Sequence, residues 1–193
     1  FYGPMSDYAQ SLSPELFSWL SQYARVAVQA FLVIGGFLAV QSLAPGGHFI
    51  PKPVPALLSK RYLKLAPPYI CALLFAIAAA PIAGHLTTHE SIPEFPTLAQ
   101  FIAHVFLLQS VLGFDGLSAG VWYIAIDFQL YALLLLALWL ANRAMPQNFL
   151  TTARTLLIAL VLASLFYFNR DDSWDNWAVY FFGAYGLGAL VSW

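Results

Sequence analysis

Apolar residues run along this chain in blocks too long and too continuous for the inner face of a soluble helix. The first block is about Ala24–Leu43, and a polar turn with Pro45, Gly46 and Gly47 follows it. A proline-started basic segment, Pro51–Lys64, reads as a short helix lying in the membrane interface. The second block is about Leu65–Gly84, with Pro67 and Pro68 in its first turn, where proline is tolerated. His85–Pro96 is a loop carrying Glu90 and Glu94, and a shorter apolar segment, Thr97–Leu112, stops at Gly113, Asp115 and Gly116. Three more blocks lie at about Ala119–Ala141, Thr151–Phe168 and Asn176–Trp193. A bilayer core is crossed by about 20 apolar residues. The pattern therefore predicts an all-α polytopic transmembrane helical bundle, with five spans plus one short re-entrant or interfacial segment.

Composition agrees. Of 193 residues 61% are hydrophobic and only 9% charged, against about 25% charged in soluble domains. A net charge of −1 gives no basic surface for nucleic acid. Cys71 is the lone cysteine, so an intrachain disulfide is ruled out. The chain begins at Phe1 and stops inside an apolar block at Ser192 and Trp193, and so reads as a single transmembrane domain, 1–193, truncated at both ends.

Lysine and arginine counts set the orientation. The stretch before the second block carries Lys52, Lys60, Arg61 and Lys64 with no acid, which makes it cytoplasmic. If Thr97–Leu112 crossed fully, Arg143 and Arg154 would fall outside. If it is re-entrant or interfacial, they fall inside and Asp171, Asp172 and Asp175 outside. At about 16 residues the segment is short for a span, so the second arrangement is expected. It sets Asp127 ~9 Å of helix rise below the outer surface.

Asp127 is the residue that needs a reason. A carboxylate inside a span costs roughly 2.5–3.5 kcal/mol on insertion scales and marks a functional site by default. On a helix, Tyr123, Asp127 and Tyr131 share one stripe, and Trp122 and Gln129 share another. Two polar stripes imply a pocket, or a structural pairing of Asp127 with a tyrosine or arginine. Lys60, Arg61 and Lys64 put basic groups at a cytoplasmic boundary, where they can clamp phosphate or anchor to lipid headgroups. Gly35 and Gly36, and later Gly183, Gly186 and Gly188, permit close helix approach. Arg25 could pair with a carboxylate or serve as a boundary anchor. His85 and His89 lack the partners of a metal site, and His104 reads as a hydrogen-bonded structural histidine.

Three blocks resemble the integral-membrane acyltransferase-3 family. Phe31-Leu-Val-Ile-Gly-Gly36-Phe-Leu is similar to the family's F-F-x-x-S-G-F-L. Lys60-Arg61-Tyr-Leu-Lys64-Leu-Ala-Pro-Pro-Tyr69 is similar to R-R-x-x-R-I-x-P-x-Y. Trp122-Tyr-Ile-Ala-Ile-Asp127-Phe-Gln129-Leu-Tyr131 is similar to W-S-L-x-x-E-x-Q-F-Y. Gly35 stands where the family has serine, Lys64 where it has arginine and Asp127 where it has glutamate.

The resemblance implies a membrane-bound O-acyltransferase that moves an acetyl or other acyl group from acyl-CoA to a hydroxyl, often of an envelope carbohydrate. Asp127 would be the catalytic acid, Arg61, Lys64 and Lys60 would bind the donor, and Gly35, Gly36, Trp122, Tyr123, Gln129 and Tyr131 would line the pocket. Acyl-CoA would be a co-substrate, with no metal and no bound cofactor. The expected setting is the bilayer of a bacterial inner membrane. The family's histidine base would lie upstream of Phe1. The alternative is a proton- or cation-coupled transporter with Asp127 as the coupling site.

Overall fold

The computed structural model describes residues 4–86, 95–118 and 120–193. These form α1 (Pro4–Leu12), α2 (Pro14–Leu43), α3 (Val54–Leu86), α4 (Leu98–Val105), α5 (Val121–Ala144), α6 (Phe149–Phe166) and α7 (Ala178–Val191), with no strand among the described residues. Four stretches are long and apolar enough to cross a membrane: Val26–Leu43, Val54–Leu86, Val121–Ala144 and Pro146–Arg170. The fifth expected span is α7, which has 14 residues. That gives a rise of about 21 Å, short of the ~30 Å hydrocarbon core.

Two boundaries differ from the hydrophobic pattern. Helix α2 starts at Pro14 with Glu15 in its first turn, well before the apolar block. Proline just inside a start and an acid near the N-terminal dipole are both start signals. Helix α3 runs unbroken through Pro67, Pro68 and Pro81, so the interfacial helix and the second span are one element. Proline removes a backbone donor and crowds the carbonyl four residues back, yet transmembrane helices accommodate it by local adjustment.

Segment Thr97–Leu112 forms no helix long enough to cross a membrane. Thr97 Oγ1 accepts from Gln100 N at 3.2 Å and starts α4, which lasts only eight residues. Leu107 then adopts φ 60°. Its N–H bonds to His104 O at 3.0 Å and that of Leu108 to Ala103 O at 2.9 Å. This pair of bonds is a Schellman ending with leucine where glycine is usual.

The helices divide between two compact units, Phe1–Val28 with Leu65–Ile124, and Gln29–Lys64 with Ala125–Trp193. In the first, buried His104 joins α4 to the stretch before α5. Its Nδ1 bonds to Gln100 O at 2.8 Å, and its Nε2 accepts from Leu117 N at 3.2 Å. The donor at Leu117 fixes the proton on Nδ1. Nearby, Gln109 Nε2 donates to Val121 O at 3.2 Å.

In the second unit α7 packs on α2 and α6 through glycines. A Cβ on Gly36 would lie 1.8 Å from Tyr185 O, and one on Gly188 would lie 1.9 Å from Val33 O. Against α6, a Cβ on Gly186 would lie 2.5 Å from Val161 Cγ2. Buried Ser164 pins the same pair of helices, donating to Tyr180 O at 3.1 Å and accepting from Gly183 N at 2.8 Å.

The second unit also fixes helix directions. Gly35 lies beside Asp127 and Ser42 beside Tyr131, so α2 and α5 run the same way. The turn after α2 meets the start of α6, with the Phe49 and Phe149 rings 6.1 Å apart. Arg154 Nη2 donates to Trp193 O at 2.6 Å, and Trp193 Nε1 donates to Ala44 O at 3.1 Å. The α2–α3 and α5–α6 connections therefore lie at one end, which puts Lys52 and Arg143 on the same side.

Candidate active site

The site is built on α3 and α5 within the second unit. Seven residues into α3, Arg61 turns inward, and its Nη2 donates to Asp127 Oδ2 at 2.5 Å. The side chains of Arg61 and Asp127 are 25% and 11% exposed. One turn further along α5, the Tyr131 ring lies under the guanidinium, with Arg61 Cζ 5.2 Å from its centroid. The two α5 residues are four apart, so a single helical face presents both an anion and a π-surface to one cation. Tyr131 is itself buried. Its hydroxyl lies beside the Ser42 side chain, and Ser42 Oγ donates to Ala39 O at 2.9 Å.

The remaining Asp127 oxygen faces α2. A Cβ on Gly35 would sit 3.7 Å from Oδ1 and 3.2 Å from Tyr185 Cε2. Glycine at this position keeps that side of the carboxylate clear. Arg61 has an unmet donor of its own: Nε is buried and has no hydrogen-bond partner among the described residues.

The sequence-predicted residues separate into groups. Arg61, Asp127, Tyr131 and Gly35 come together. Lys60 and Lys64 share the helix but are exposed and make no ion pair among the described residues. Gly36 abuts the α7 backbone, so it serves packing. Trp122 and Tyr123 stack edge to face at 6.0 Å in the first turn of α5. Gln129 Nε2 is buried without an acceptor among the described residues. The Arg25 side chain and His89 lie outside the described residues, and His85 is exposed near the end of α3. Among the described residues no three His, Cys, Asp or Glu side chains converge on a point that could hold a metal.

Ser42 and Tyr185 were not singled out from the sequence. Ser42 had a signal, since it lies seven residues after Gly35 and so on the same face of α2. Tyr185 gave none beyond an aromatic ring among glycines, because its partners come from a distant helix.

Removing one partner of a buried ion pair costs about 3–5 kcal/mol, whereas well-packed apolar residues often replace both at no loss. The pair is thus a poor choice for stability alone, and both members come from motifs singled out in the sequence. A family model described as an acyltransferase domain matches residues 1–192. No curated protein and no solved structure matches the chain. With its long apolar helices, the chain belongs to the acyltransferase-3 family and is an integral-membrane acyltransferase.

Proposed function

We propose that this chain moves an acetyl or larger acyl group from acyl-CoA to a hydroxyl of a carbohydrate, or of another envelope or small-molecule acceptor, in a bacterial inner membrane. The observation that carries this reading is the Arg61–Asp127 pair in a chain of this family. It joins the motif proposed for the donor to the motif proposed for the acid. Exposed Lys60 and Lys64 beside it suit the phosphates of a nucleotide-bearing thioester.

The reaction is a direct transfer. A histidine of the kind the family pattern carries takes the acceptor's hydroxyl proton, and the oxygen attacks the thioester carbonyl. Asp127 is spoken for at Oδ2 by Arg61, which leaves Oδ1, on the open Gly35 side, to orient that histidine and offset its charge.

The test is acyl transfer by the full-length protein in lipid vesicles. Asp127→Asn is expected to lower kcat by ~100-fold or more. Lys60→Ala with Lys64→Ala should raise KM for acyl-CoA and spare kcat. Normal turnover by well-folded Asp127→Asn would remove Asp127 from the mechanism. Absence of transfer from any acyl-CoA would remove the donor.

A further inference from the structure

We infer that Arg61 acts on the thioester carbonyl rather than on the donor's phosphates, and that Tyr131 and Ser42 are positioning residues for it. The inference rests on the acyl-CoA reading above and refines one residue within it. A phosphate clamp needs an open cation, and the exposed Lys60 and Lys64 fit that description. Arg61 does not. Asp127 holds one end of its guanidinium at 2.5 Å, and the buried Tyr131 ring lies beneath it at 5.2 Å. The Tyr131 hydroxyl lies beside Ser42, which is itself bonded to the Ala39 carbonyl. A cation fixed in this way is preorganised, which is what stabilising a developing charge requires.

The unmet donor points to the same role. Nε–H is buried and has no acceptor among the described residues, and a buried unmet donor is costly. A carbonyl oxygen brought within reach during the reaction supplies the acceptor that Nε–H lacks. In the reaction the acceptor oxygen bonds to the carbonyl carbon, and the C=O π pair moves onto oxygen, where Arg61 meets it. When the π bond re-forms, the C–S bond breaks and CoA leaves as thiolate. The thiolate takes up the proton that the histidine removed from the hydroxyl.

The test compares Arg61→Lys and Arg61→Ala with wild type, using acetyl-CoA and acetyl-pantetheine, a thioester without the nucleotide phosphates. Arg61→Lys keeps a cation for Asp127 and so guards against misfolding, but lacks Nε–H. Both variants should lose ~100-fold or more in kcat for acetyl-CoA, with KM little changed. The loss should persist with acetyl-pantetheine, while the effect of Lys60→Ala and Lys64→Ala disappears. Tyr131→Phe keeps the ring and drops the hydroxyl beside Ser42; it and Ser42→Ala should each lower kcat by ~10-fold at an unchanged melting temperature. The double variant should be no worse than either single one. A rise in KM for acetyl-CoA at normal kcat in Arg61→Lys would make Arg61 a phosphate ligand and overturn the inference. A shift in melting temperature alone for Tyr131→Phe would overturn the positioning role. If wild type uses neither thioester, it is the acyl-CoA reading that fails.

Discussion

At Gly36 an added Cβ would sit 1.8 Å from the Tyr185 carbonyl oxygen, while at Gly35 it would meet the edge of the Tyr185 ring at 3.2 Å. Backbone cannot step aside, and a ring edge can. Gly36→Ala is therefore expected to lower stability by at least ~1–3 kcal/mol. Gly35→Ser, which restores the residue of the family pattern, should unfold within a few degrees of wild type in detergent. Equal losses at the two sites would contradict this packing. His104 offers a second check. Burial holds its imidazole below the usual range, partly offset by the bond to Gln100 O. The folded state thus binds the proton less readily than the unfolded chain. The resulting stability is complete above the ordinary imidazole value of about 6.5 and is lost as pH falls through the lower folded value. Protonation would also turn Nε2 against the Leu117 N–H. Thermal unfolding should therefore occur at lower temperature at pH 5 than at pH 7.5, and His104→Gln should flatten that difference. Asp127 and Arg61 were both legible in the sequence as unusual residues. That they were partners was not, because 66 residues separate them and neither motif carries the register of the other.

At the scale of elements, apolar block length gave the membrane helices well and their ends poorly. Lipid dictates which residues are apolar, whereas hydrogen bonding dictates where a helix stops, and the two boundaries need not coincide. Helix α2 extends outward through polar residues from Pro14, and α3 passes straight through two adjacent prolines. Helix α4 shows the opposite case: apolar sequence continues to Leu112, but the helix ends at Val105. Its ending depends on Leu107 in a left-handed conformation, with a side chain that is fully buried. Nothing in the local pattern announces a leucine there, since glycine is the usual choice. Burial of the side chain offsets a conformational cost of about 1–2 kcal/mol. Leu107→Ala should consequently destabilise the protein by ~2–5 kcal/mol. Thr97→Ala, which removes only the N-cap bond, should cost ~1 kcal/mol. Unfolding of the two variants under one denaturant would rank them, and the reverse order would count against this description of α4.

For the whole molecule, the direction of each helix in the second unit decides the topology. Both the α2–α3 and the α5–α6 connections meet at the end where Trp193 bonds to Ala44. With both connections on one side, an even number of crossings is expected between them, and α3 and α5 are long and apolar enough to supply two. Single cysteines placed in a Cys71→Ser background test this. Lys52→Cys and Gln147→Cys should label from the cytoplasmic side, and Ser173→Cys from the other. Labelling of Gln147→Cys from outside would show that Thr97–Leu112 crosses after all.

The sequence by itself determined the solvent of this protein, its helical class and its family, because hydropathy over ~20 residues and short motifs are local properties. It also marked Asp127 as costly and Lys60, Arg61 and Lys64 as a basic group. Only the tertiary structure decided that Arg61 leaves that group to pair with Asp127, that the Tyr131 ring lies beneath it, and that Gly35 clears the carboxylate while Gly36 admits α7. Those outcomes depend on the rotation and register of helices far apart in the chain, which packing sets and hydropathy does not.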